Sequence, residues 1–255
     1  MELWENYNEQ AKEHARTSAL LDQTLRELCK TGHSDYSEIK AKVWLIGRGF
    51  ASGIERRMRR ADGDLLNGLE QLINALHRSG QQLDHEVFKP LQDIQNIAET
   101  DQAKRLLELH RKFIGFFEHL LLKSKSESAT SAPSFAAKYM HFHNPQVPIY
   151  DSQAARALQH VEVKRLPELA KPQSDVCDKN YSKFLARVVP AYRALPEECS
   201  VRLLDLLVLV YYRANNGWPT QKKRVSRDLT SHPPGTVSAA AVSQASRRFD
   251  LPTRV

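Results

Sequence analysis

The stretch Ser134-Phe-Ala-Ala-Lys138-Tyr-Met-His141-Phe-His143-Asn-Pro145-Gln-Val-Pro148-Ile-Tyr150-Asp151-Ser-Gln153 gathers an amine, two imidazoles, a phenol and a carboxylate into one short segment. Pro145 and Pro148 bound a turn, and Asp151 stands where the N-cap of a following helix belongs. As a cap alone, Asp151 is structural. Held near a positive helix end and facing a cleft, the same carboxylate can stabilise a cationic transition state. The two roles are compatible. Lys138, if its pKa is depressed by burial, is a nucleophile for covalent catalysis, and otherwise an ion-pair or phosphate partner. His141 and His143 are two apart on one helix, so they point to different sides and do not make a metal site. One is expected to hydrogen-bond in the core and the other to contact substrate or phosphate. Tyr150 can stack on an extruded base or pack in the core.

These residues need a scaffold, and apolar positions recur at helical spacing along nearly the whole chain, with no period-two stretch bounded by turn residues. We expect an all-α fold. Helices are predicted over 5–30, from an Asp35 or Ser34 cap through 42–60, and over 64–79, 85–98 and 101–123. Others are predicted over 134–143, 152–160, 178–195 and 200–215, with a proline-punctuated loop through Pro167 and Pro172. The polar linker 124–133 ends on a proline suited to a helix's first turn. The expected organisation is a lobe over 1–123, a second over 124–218 carrying the elbow 134–158, and a basic tail over 219–255.

The chain has 255 residues, is 41% hydrophobic and 26% charged, and carries a net charge of +7 with a pI near 9.3. That length buries a substantial core, and the charge favours an acidic partner, nucleic acid first. Three separated cysteines, Cys29, Cys177 and Cys199, do not suit a disulfide framework. With no signal-peptide pattern and no apolar run long enough to span a bilayer, a cytoplasmic, non-membrane protein is expected. P-loop, dinucleotide-binding, HExxH and GxSxG motifs are missing, so no nucleotide, nicotinamide or zinc chemistry is called for.

Pro145-Gln-Val-Pro-Ile-Tyr-Asp151, followed by Ser-Gln-Ala-Ala-Arg-Ala-Leu158, resembles the segment that carries the catalytic aspartate in the helix-hairpin-helix DNA glycosylase superfamily. Phe135-Ala-Ala-Lys138-Tyr-Met resembles the preceding helix of its archaeal 8-oxoguanine branch. The resemblance covers roughly 131–158. It implies a two-lobed helical fold with DNA across the cleft, a flipped base in a pocket and cleavage of the N-glycosidic bond. By the resemblance Asp151 is the catalytic carboxylate; from their own chemistry and position Lys138 is a second catalytic candidate, and Tyr150, His141, His143 and Gln153 are candidates for the base pocket. The substrate is a damaged or modified base, including a hypermodified phage base, and the product an abasic site. No cofactor is implied, and a monomer is expected. Ala129-Thr-Ser-Ala-Pro-Ser134 contains none of the family's hairpin glycines and no lysine at the nucleophile position near Ser131, which points to a monofunctional enzyme. The alternative is a helical nucleic-acid-binding module without catalysis.

The second helix divides into two faces. Val43, Ile46, Phe50 and Ile54 share an apolar face, while Arg48, Ser52, Arg56 and Arg59 form a stripe suited to phosphates. Gly47, Gly49 and Gly53 weaken the helix and suggest close approach by a neighbour. The last 37 residues hold seven Lys and Arg against two Asp, with Lys222, Lys223 and Arg224 as a second basic cluster for DNA.

Overall fold

Apolar residues at helical spacing close into a bundle whose elements run α1 (Glu2–Cys29), α2 (Tyr36–Gly49), α3 (Leu65–Arg78) and α4 (Gly80–Leu83), then a π-helical turn (Asp84–Phe88) and α5 (Lys89–Gln92). There follow α6 (Thr100–Gly115), α7 (Pro133–His143), α8 (Ser152–His160), α9 (Pro167–Ala170), α10 (Lys179–Arg193) and α11 (Val201–Asn216). The computed structural model describes residues 2–50, 54, 65–117, 133–170 and 179–216, all within the unit Met1–Gly217. No strand occurs among the described residues. The fold is all-α.

Local signals explain most boundaries. Asp35 caps α2 by accepting the backbone N–H of Glu38 at 2.9 Å, and Pro133 opens α7. The segment expected to be one helix over 85–98 is different. Helix begins at Gly80, widens into the π-turn and stops at Gln92. It stops because the Gln102 side chain takes the N–H groups of Gln95 and Asn96, at 2.7 and 2.9 Å, that a continuing helix would have used. Pro167, expected in a loop, instead starts the short α9, where its missing N–H costs nothing.

α7 is the central element, buried from Phe135 through Phe142 and packed against α1, α2 and α6. α1 runs along α11, and α11 in turn covers α8. The chain's first and last described helices therefore meet, and the helices on either side of residue 124 share one hydrophobic core. No boundary near residue 124 divides that core. α2 stops at Gly49 with Phe50 as its C-cap, short of the helix expected to run through residue 60, because the chain leaves helical geometry at Phe50. Val43 and Ile46 on α2 are buried as their spacing requires, and Ile54 beyond its end is buried too. A Cβ on Gly47 would lie 3.2 Å from Ile54, which accounts for that glycine by close packing.

Candidate active site

α7 ends at His143 because Asn144 precedes Pro145, and a residue before proline disfavours helical backbone. The turn that follows is fixed by side chains from three directions. Buried Asn144 donates to the carbonyls of Leu91 and Ile94 at 2.6 and 2.9 Å and accepts the N–H of Gln146 at 2.8 Å. His141 Nδ1 donates to the carbonyl of Val147 at 2.7 Å. Asp205 on α11 accepts the N–H of Ile149 at 3.1 Å. Asp151 arrives extended, at φ −137° and ψ 147°, and caps α8 by accepting the N–H of Gln153 at 2.7 Å. Both acceptor roles are local consequences of a buried turn whose N–H groups need partners.

The capped carboxylate has a second partner. Its Oδ2 lies 3.7 Å from Lys138 Nζ, an ion pair, and the same ammonium donates to the carbonyl of Phe50 at 2.7 Å. Lys138's side chain is 4% exposed, whereas that of Asp151 is 29% exposed. Burial pushes the lysine pKa down, and Asp151 opposes that shift. Nearby, Arg202 is paired with Asp22 at 2.7 Å and stacks 5.5 Å above the Phe50 ring. Burial raises the Asp205 carboxyl to about 8, so it is protonated at neutral pH. The result is one solvent-facing carboxylate on a framework of buried polar groups.

No family model, curated protein or solved structure matches this chain.

The residues singled out in the sequence divide between several places. Lys138, Asp151 and the backbone of Gln153 come together, and His141 braces the turn beneath them. His141 Nε2 is buried with no partner among the described residues, and burial lowers its pKa to about 3, so the ring is neutral. Tyr150 packs edge-on against Tyr181 and Phe184 at 6.2 and 5.4 Å, on the α10 side of the elbow. His143 is on another flank of α7, stacked on His33 at 5.2 Å and tilted against Phe88 at 4.1 Å, and it lines a cleft of about 400 Å³ with Asp84 and Arg26. That separates it from the group around Asp151. Arg48 is exposed near the end of α2, over the Trp44 ring at 4.6 Å, two residues before the Phe50 carbonyl that holds Lys138. The expected phosphate contacts Ser52, Arg56, Arg59, Lys222, Lys223 and Arg224 fall outside the described residues.

Sequence reading missed Phe50, Asp205 and Arg202 as site residues. Asp205 did leave a signal, a lone carboxylate inside the apolar run Leu203 to Tyr212. It also missed a buried chain at the start of α2. His33 Nδ1 donates to Asp84 at 2.5 Å while its Nε2 accepts from Tyr139 at 3.0 Å, and fully buried Lys42 donates to the carbonyls of Thr31 and Gly32 at 2.7 and 2.9 Å. These bonds tie the α1–α2 loop to the π-turn. Among the described residues no group of three or more His, Cys, Asp or Glu converges as a metal site, and no helix is long and apolar enough to cross a membrane.

Proposed function

We propose that this chain is a monofunctional DNA glycosylase that removes a damaged or modified base, hypermodified phage bases included, and leaves an abasic site. The observation that supports this reading most is the pair formed by the partly exposed carboxylate of Asp151 and the buried ammonium of Lys138, 3.7 Å apart at a helix N-terminus. Breaking an N-glycosidic bond builds positive charge on the sugar, and a carboxylate fixed in advance lowers that barrier without reorganising. Asp151 is fixed by the Gln153 N–H on one oxygen and by Lys138 on the other. It either stabilises the oxocarbenium directly or takes a proton from the attacking water.

Lys138 acts as a positioning residue. Its ammonium is engaged by the Phe50 carbonyl and by Asp151, and its side chain is almost wholly buried, so it does not reach a sugar C1′. That favours water over an amine as the nucleophile. On this reading Arg48, exposed at the end of α2 close to that carbonyl, contributes a phosphate contact to the bound strand.

The test is an abasic-site assay on panels of damaged and modified duplexes. Wild type releases a base from at least one substrate and Asp151→Asn does not, a loss of at least about 100-fold for removing a preorganised charge at the reacting centre. DNA binding with no base released from any duplex would establish the non-catalytic module instead.

A further inference from the structure

Beside the elbow, α8, α10 and the segment between α8 and α9 enclose a cleft of about 370 Å³. Its wall carries Arg165, Lys183 and Arg187, two aromatic rings, Tyr150 and Phe184, and, among the described residues, no carboxylate. Surface cations usually sit among acids that offset them, and an uncompensated concave cluster draws anions. Arg165 and Lys183 are exposed and have no ion-pair partner among the described residues. Arg187 is half-buried and anchored, since its guanidinium donates to the Leu158 carbonyl at the end of α8 at 3.1 Å. Lys183 and Arg187 are one helical turn apart on α10, so their charges lie on the same face.

The aromatic pair narrows the choice of anion. Tyr150 meets Phe184 edge to face, 5.4 Å between centroids at 80°, which holds the Tyr150 ring rigid in the cleft wall. Cations beside a fixed aromatic surface suit a phosphodiester with an attached base better than inorganic phosphate. Two of the three cations stand at the exposed rim, where a continuous backbone can run past them; an enclosed mononucleotide would call for charges in the floor. Tyr150 directly precedes Asp151 in the chain, so the cleft borders the turn that carries the carboxylate.

We infer that the α8–α10 cleft is the DNA strand anchor of this protein, with Arg165, Lys183 and Arg187 on backbone phosphates and Tyr150 against a neighbouring base. The choice of DNA rests on the glycosylase reading.

The experiment uses the full chain, a fluorescein-labelled duplex and anisotropy titrations over a range of salt. Arg165→Gln/Lys183→Gln keeps both exposed positions polar and spares Arg187, whose bond to Leu158 is structural; an unchanged thermal melt verifies the fold. The double variant is expected to bind at least about tenfold more weakly, with the slope of log K against log salt reduced by about 2, since each phosphate contact contributes about 0.9. An unchanged slope and affinity overturns the anchor, as does displacement of the duplex by a mononucleotide as effective as an oligonucleotide. Base release by wild type together with unaltered binding by the double variant defeats the anchor and leaves the glycosylase standing. Binding that depends on Arg165 and Lys183, with no base released from any substrate, defeats the glycosylase and leaves the anchor.

Discussion

Asp205, in the middle of α11, accepts the backbone N–H of Ile149 at 3.1 Å, and so a helix near the end of the described chain holds the turn that delivers Asp151. The carboxyl is 3% exposed and its pKa is raised to about 8 by burial. A raised carboxyl stabilises the fold most at low pH, and that contribution is lost as pH climbs from about 4, where the unfolded chain ionises, to about 8. Asp205→Asn keeps an acceptor for Ile149 and removes the ionisation. In thermal melts it should gain on wild type steadily between pH 4 and pH 8. A stability difference from wild type that does not change between pH 4 and pH 8 would contradict this.

Lys138→Met strips the Phe50 carbonyl of its donor and Asp151 of its cation. We expect a loss of about 1–3 kcal/mol in denaturant unfolding, the cost of an unsatisfied buried polar group. Lys138→Arg should recover part of that stability. If water is the nucleophile, as proposed, borohydride treatment of wild type with a cleavable duplex traps no covalent adduct. A trapped adduct lost in Lys138→Arg would make Lys138 the nucleophile and the enzyme bifunctional.

Three buried histidines predict acid sensitivity. Burial lowers the pKa of His33, takes His141 to about 3 and sets His143 well below its ordinary value. A lowered histidine favours the fold in its neutral form, so its stabilising contribution is present above about pH 6.5 and lost as pH falls through the folded value. Asp205 works in the opposite direction and offsets one of the three protons. The histidine shifts together outweigh that of Asp205 below about pH 6.5, so stability falls as pH drops toward 5. Denaturant midpoints measured from pH 7 to pH 5 test it, and a flat profile would refute it.

Two glycines should respond with opposite sign to alanine. A Cβ at Gly80 would lie 2.0 Å from the backbone carbonyl of His33, so Gly80→Ala must push α4 away from the α1–α2 loop. A loss of more than about 2 kcal/mol is expected from overpacking of backbone. At Gly115, in the last turn of α6, a Cβ would meet nothing within 4 Å. Gly115→Ala should stabilise by about 0.5–1 kcal/mol through helix propensity and a stiffer unfolded chain. Paired melts of the two variants decide both.

Much of the elbow was legible in the residues themselves. Pro145 ends α7, Asp151 caps α8, and Pro133 opens α7, because proline geometry and capping act within a few residues of where they stand. The spacing of two between His141 and His143 sufficed to separate their side chains. The end of the helix at Gln92 was not legible, since it depends on the Gln102 side chain reaching back to Gln95 and Asn96.

The chain by itself determined an all-helical fold and a capped aspartate at the mouth of α8, since helical periodicity and cap chemistry are short-range. Only the tertiary structure decided that Lys138 is buried against Phe50, 88 residues away, and beside Asp151, that Asp205 braces the turn from α11, and that His143 faces a different cleft. Those outcomes depend on which helix faces meet in the core. Burial then obliges each enclosed donor and acceptor to find a partner wherever the fold has brought one near.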